Sequence, residues 1–174
     1  MGKNLNNGDL VQRAEKLAFY GVPTTSGGST TITYTRMEGF TSLSGSKNPS
    51  EYSRRYVDET SDRVSISGYA PAIAYEFDRY KGNAVLDDII DIHEHEKIGG
   101  QASRVIIQVD LTTVTENEGV TEATAIKRDY SVIPDSDGGS NDALTYSGNF
   151  RAAGTAETVT VTTSDDWQTI TIVE

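Results

Sequence analysis

The chain has 174 residues, 36% of them hydrophobic and 24% charged, with 26 acidic against 15 basic side chains and a formal net charge of -11. That length fits one domain, given about 100–200 residues per domain, and the acidic balance argues against a protein that grips a phosphate backbone, though not against a lining past which nucleic acid slides. No cysteine is present, which excludes disulfides, thiolate-bound zinc, iron–sulfur clusters and thiol nucleophiles.

Residues 1–13 are polar and rich in Asn and Gly, the composition of a flexible N-terminal arm ahead of a single domain over 14–174. The start holds no apolar leader segment, Asn6 stands where a myristoylation signal wants Ser or Thr, and no run is long enough to span a bilayer, so a soluble protein made in a cytoplasm and away from membranes is expected. "RAEKLAFYGVP" and "TITYTRMEGF" flank the turn cluster "TTSGGSTT" and read as strand, loop, strand. Leu10, Ala14, Leu17 and Ala18 also fit helical spacing, so a short amphipathic helix is the alternative for "LVQRAEKLAF".

From 41 to 62 no periodicity is evident, and about 20 unpatterned residues inside a compact domain point to a functional loop, a projecting hairpin or an interaction arm. Within it, "EYSRRYVDE" mixes Tyr52 and Tyr56 with Arg54 and Arg55, residue types that protein interfaces favour. Glu51, Asp58 and Glu59 offset the arginines, so the local field is not that of a phosphate groove. "RVSISGY" puts Val64 and Ile66 on one strand face, and "APAIAYEFDRY" does the same with Ile73, Tyr75 and Phe77, which look core-facing.

One strong helix is expected over about 84–96, capped by Asn83, with Asp87 and Asp88 in its early turns and Val85, Leu86, Ile89, Ile90 and Ile92 or His93 on its apolar side. Segments rich in β-formers follow to the end: "ASRVIIQVDLTTV", "TEATAIKRDYSVI", "ALTYSGNFRAAG", "AETVTVTT" and "WQTITIV". Their spacing is that of an antiparallel sandwich or barrel. The fold class is therefore mainly β, an antiparallel β-sandwich or barrel with one flanking α-helix.

Both histidines lie in "DIHEHEK". On a helix, His93 and His95 point about 200° apart, whereas a helical zinc motif needs positions i and i+4. A helix end with histidine near the negative pole explains the stretch better. "DSDGGSND" over 135–142 has Tyr146 where an EF-hand loop needs its closing Glu, so a hairpin tip is the better reading. No nucleophile elbow, phosphate loop or dinucleotide fingerprint occurs. Neither catalysis nor a cofactor nor a metal is expected.

The order of "FYGVP", "YTRMEGFTSLSGSKNPSEYSRRYVDE", "VSISGYAPAIAYEFDRYKGNAV", "AIKRDYSVIPDSDGG", "LTYSGNFRAAGT" and "DDWQTITIVE" resembles the major tail protein, or tail tube protein, of long-tailed bacteriophages and prophages of Gram-positive hosts, over about residues 17–174. The resemblance implies a virion protein assembled in the host cytoplasm: hexameric rings that stack into a tail tube around a tape measure protein, between tail tip or initiator and tail terminator proteins. The lumen would pass viral DNA without holding it, and a non-contractile tail is the likelier implication. Contacts between subunits or rings are then expected from the arm (Lys3, Asn4, Leu5) and from the loop at Asn48, Pro49, Tyr52, Arg54, Arg55 and Tyr56. Two other classes stay open on the residues alone: a monomeric β-sandwich binding module or capsid decoration protein, and a histidine-dependent metalloenzyme.

Overall fold

A computed structural model of the chain describes residues 10–173. A 3-10 turn at Arg13–Glu15 leads into β1 (Lys16–Ser26), which reverses through Gly27 and Gly28 into β2 (Ser29–Arg36). Both glycines have positive φ, 59° and 83°, as a two-residue hairpin turn demands. Then come β3 (Phe40–Ser46), β4 (Pro49–Arg54), β5 (Arg63–Tyr69) and β6 (Ala72–Asp78), followed by α1 (Ala84–Glu94). The rest is β7 (Ser103–Asp110), the short β8 (Thr115–Asn117), the 20-residue β9 (Val120–Gly139), β10 (Leu144–Ala152), β11 (Glu157–Thr163) and β12 (Thr169–Ile172).

Strands β9, β7, β1, β2, β12 and β11 pair in that order, all antiparallel, and β11 returns to β9, so the six close into a barrel. The fold is thus an antiparallel barrel with extra strands and one flanking helix. Leu17, Phe19, Ile107, Val109, Ala123, Ala125, Val161 and Ile170 fill its interior. β9 is too long for the barrel alone. Its first half pairs with β7 and β11, and its second half leaves them and pairs with β10, which starts a four-stranded antiparallel extension β9-β10-β6-β3.

Helix α1 covers one face of that extension and the adjoining outer wall of the barrel. Asn83 caps it, its side-chain oxygen accepting from the amides of Val85 at 3.1 Å and Leu86 at 3.2 Å. Val85, Leu86, Ile89, Ile90 and Ile92 are buried, each contributing about 1.5–3 kcal/mol. The helix ends at Glu94, two residues short of the expected bound, because Glu96 turns to φ 48°. Tyr75, Phe77, Tyr146 and Phe150 lie under it as a ladder of rings, Tyr75 and Phe150 stacked at 4.5 Å between centroids. Ile73, Tyr75 and Phe77 do face the core.

β1 and β7 are buried on both sides. Phe19 and Ile107 point into the barrel, while Tyr20 and Ile106 point to the helix layer, which is why "LAFY" is a continuous apolar run rather than an alternation. The strand reading of this segment holds from Lys16 onward. Between the layers lies one polar cluster. The Tyr20 hydroxyl donates to Asp88 Oδ2 at 2.5 Å, and Arg104 grips the same carboxylate twice, Nε to Oδ2 at 2.8 Å and Nη2 to Oδ1 at 3.0 Å. Arg104 and Asp88 expose only 10% and 12% of their side chains.

Removing one partner of such a pair strands the other charge. Asp88→Ala is expected to cost about 3–5 kcal/mol in urea unfolding, and a loss under 1 kcal/mol would show that the cluster contributes no more than an exposed pair. Burial first, and the Asp88 carboxylate second, push the Tyr20 phenol well above its ordinary value of 10.0. The unfolded chain therefore releases that proton before the folded chain does. Stability is complete below about pH 10 and declines as pH rises from there toward the folded value. Tyr20→Phe should flatten this alkaline decline in a series of melting curves.

Candidate functional site

β4 and β5 pair with each other and, among the described residues, with no other strand. They prolong the β3–β6 ribbon beyond a break, so that 40–78 is one long hairpin whose distal half leaves the body of the molecule. Asn48 makes the break. Its φ is 44°, and its side-chain amide donates to Ser46 Oγ at 3.1 Å and to the Ala70 carbonyl at 3.0 Å. Pro49 opens β4 opposite Tyr69, at a strand start where a missing N–H is tolerated. The unpatterned stretch 41–62 thus contains β3 and β4, which show no apolar alternation because β4 buries neither face and β3 little of either.

Residues directly opposite each other share a face of the arm. Glu51 with Ile66 and Ser53 with Val64 form one face; Tyr52 with Ser65 and Arg54 with Arg63 form the other. On the second face Arg54 Nη1 donates to the Tyr52 hydroxyl at 3.1 Å. The tip is ordered by charge: Arg55 Nε donates to Asp62 Oδ1 at 2.8 Å, Arg63 pairs with Glu59, and the Arg63 guanidinium lies 5.5 Å from the centre of the Tyr56 ring. Val57 stands fully exposed at the end. An isolated two-stranded hairpin is marginal in water, and this one leaves Tyr52, Val64, Ile66 and Tyr69 each more than half exposed.

Asn48, Pro49, Tyr52, Arg54, Arg55 and Tyr56 therefore come together on one projection, while Lys3, Asn4 and Leu5 lie outside the described residues. Their roles differ. Asn48 holds the base and Arg55 the tip, whereas Tyr52, Arg54 and Tyr56 form the exposed aromatic and cationic face. Sequence reading missed Val57, Val64, Ile66 and Tyr69 as surface groups. The alternation of Val64 and Ile66 was visible, but nothing in it told that their face meets solvent.

Two sheet edges are open in the four-stranded extension. Among the described residues, β3 pairs only with β6, and beyond Ser131 β9 pairs only with β10. Among the described residues, the one β3 carbonyl that accepts a side-chain bond is that of Leu43, a long one of 3.4 Å from Arg13 Nη2. The edge sequence "FTSLSGS" carries no charge and no proline, the features that normally block pairing with another chain.

The histidines point apart. His93 Nε2 lies 3.1 Å from Asp137 Oδ1 with its ring edge-on to Tyr146, and His95 Nδ1 lies 2.8 Å from Asp91 Oδ1. The Lys97 ammonium, hydrogen-bonded to Asp91, holds that carboxyl below its ordinary range, with His95 adding to the effect. Among the described residues no group of three His, Asp or Glu side chains converges to hold a metal. At the barrel mouth a cleft of about 850 Å³ is lined in part by Leu17, Trp167, Arg36, Glu15 and Val114. Glu15 is buried there and one of its oxygens accepts from the Gln12 amide at 2.8 Å.

No protein-family model and no curated protein matches the chain. Among solved structures, it is similar to a chain in the cryo-EM structure of the anti-feeding prophage (AFP) baseplate, 6-fold symmetrised, at 10% identity and a TM-score of 0.46, over 89% of this chain and 97% of that one. An overlay that loose carries no functional weight.

Backbone amides in β4 and β5 are expected to exchange with deuterium at least about 100-fold faster than those of β1, β7 and β9 in the isolated subunit, as for elements with few buried contacts. Equal protection would mean that the arm is stable without a partner.

Proposed function

We propose that the chain is the subunit of a bacteriophage tail tube: hexameric rings, stacked around a tape measure protein between an initiating tail tip and a terminator, through which viral DNA leaves the particle. The observation that carries this reading is the four-stranded extension, which among the described residues has an open edge on each side. In β9-β10-β6-β3 every neighbour is antiparallel, so with an even number of strands the two outer ones run in opposite directions. The β9 edge of a second copy, in the same orientation, would then meet β3 antiparallel, the better-bonded ladder. Such a head-to-tail contact uses different surfaces on its two sides and closes into a ring when the rotation permits.

The face of the extension away from α1 suits a lumen. Ser44, Ala74, Asn149 and Ile133 lie in one row across the strands, and Ser42, Glu76, Ser147 and Ser136 in the next. Short side chains, acids at Glu76 and Asp78 against the single cation Arg151, and a chain charge of -11 together disfavour phosphate binding. The opposite face is closed by the helix and its aromatic ladder. The arm supplies the Tyr, Arg and aliphatic groups that anchor protein contacts, and the sequence resemblance gives the number six, the tape measure and the phage tail.

A second reading, a monomeric binding module, draws on the barrel-mouth cleft with its Trp167 wall. It expects a ligand-dependent rise in melting temperature and no rings.

Negative-stain electron microscopy of the concentrated protein, with light scattering on the same sample, is expected to show sixfold rings or tubes, alone or when seeded with tail tips. Arg54→Glu should preserve the melting curve and suppress tube growth, since Arg54 binds only Tyr52 within its own arm. Arg55→Glu would oppose Asp62 and disorder the tip, so it is the weaker probe. Normal tubes from Arg54→Glu would remove the arm from the assembly, and monomers under every condition would favour the binding module.

A further inference from the structure

Resting on the tube reading, we infer that rings stack through one charge contact: the acidic β9–β10 tip of one copy seats against a cationic pocket of a copy in the next ring. The pocket, about 270 Å³, lies between β3, the lower end of β6 and the start of β1. Arg13, Lys16 and Lys47 line it beside Gln108, Leu43 and the ring of Tyr130, and no carboxylate does. That is unusual on a chain with 26 acids and 15 bases. None of the three cations forms an ion pair among the described residues: Arg13 donates to the Lys16 and Leu43 carbonyls. Asp110, opposite Lys16 in the ladder, gives its carboxylate to the amide and hydroxyl of Thr112 instead. Arg128, two residues from Tyr130 on the same face of β9, adds a further cation with a buried Nε that has no hydrogen-bond partner among the described residues.

The complementary charge sits at the other end of the same strands. Residues 135–142 hold Asp135, Asp137 and Asp142, all exposed, and no cation within the stretch. Asp137 meets His93; Asp135 and Asp142 form no ion pair among the described residues. Ser46, Ala72 and Arg151 lie level with one another beside the pocket, whereas Leu144 and Gly139 are level at the tip. The run of β10 from Leu144 to Arg151 separates these ends by about 23 Å at the strand rise. Opposite charges at opposite ends of one strand direction favour a head-to-tail contact that does not close on itself, which is the geometry of a filament. The pocket opens among Leu43, Ile73 and Tyr130 of the helix layer and reaches the rim of the extension at Ser46 and Ala72, and a carboxylate-bearing second copy is the occupant that the charge selects.

The double variant Lys16→Glu with Lys47→Glu is expected to melt normally, to form rings, and to raise the protein concentration needed for tubes by about tenfold or more at low salt. Mixing it with subunits carrying Asp135→Lys and Asp142→Lys should restore growth as copolymers. The chain has no cysteine, so a disulfide between differently tagged Lys47→Cys and Asp142→Cys subunits, formed only in tubes, reads the contact directly. If wild type makes tubes and the reversed variant makes them equally well, the contact is wrong while the tube reading stands. A defect that the aspartate variant does not rescue, with no disulfide formed, would assign the pocket to another anionic ligand and overturn the proposal. Wild-type protein that never forms rings would bring down both.

Discussion

Everything in this molecule depends on three strands that serve two cores at once. β1 and β7 present one face to the barrel interior and the other to the helix layer, so Phe19 and Tyr20, or Ile107 and Ile106, are neighbours in sequence buried in different places, while β9 serves the barrel with Ala123 and Ala125 and the helix layer further along with Tyr130 and Val132. A strand buried on both sides cannot slip by one residue without exchanging the contents of two cores. That fixes the register of the barrel and the seat of the helix together. The Asp88 carboxylate, held by Arg104 of β7 and Tyr20 of β1, pins the helix to both strands through a pair of charged groups that are nearly dry.

The open edges follow from that arrangement. Because β9 is long enough to leave the barrel, it carries β10, β6 and β3 with it as a sheet that has one covered face, one bare polar face and no closure of its own. The aromatic ladder packs under α1, and Gly148 makes room for it. A Cβ there would come within 2.5 Å of the Tyr75 hydroxyl and of the Ile133 carbonyl, so the ring of Tyr75 crosses β10 only because position 148 has no side chain. In the proposed tube, the two edges left open among the described residues are the ones a neighbouring copy would complete. The arm would be a second such surface, since it orders its own tip through Arg55, Asp62, Arg63 and Glu59 but buries none of its apolar groups.

Charge is distributed with the same polarity as the strands. Cations that form no ion pair among the described residues gather where β3 breaks into the arm, and a run of aspartates occupies the far turn. In a chain this acidic, self-association without such segregation would be opposed by its own field. In the proposed stacking, matching ends would let copies add in one direction while the remaining surface still repels.

The sequence by itself determined the local structure: the capped helix, the alternating strand faces of Ile73, Tyr75 and Phe77, the glycine turn after β1, and an unusual stretch between 41 and 62 with interface chemistry. These are set by period, capping and turn residues within a few positions, which any short window contains. It also placed His93 and His95 on different sides, because helix geometry alone separates them. Only the tertiary structure decided that Val64 and Ile66 alternate toward solvent, that β9 serves both the barrel and the extension, that Arg55 is spent on Asp62 while Arg54 meets only the Tyr52 hydroxyl among the described residues, and that Arg13, Lys16 and Lys47 meet in one pocket. The reason is that a strand's pattern records which residues share a face but not what lies opposite that face. Pairing partners, open edges and charge pockets are properties of segments distant in the chain, and they exist only once folding has brought those segments together.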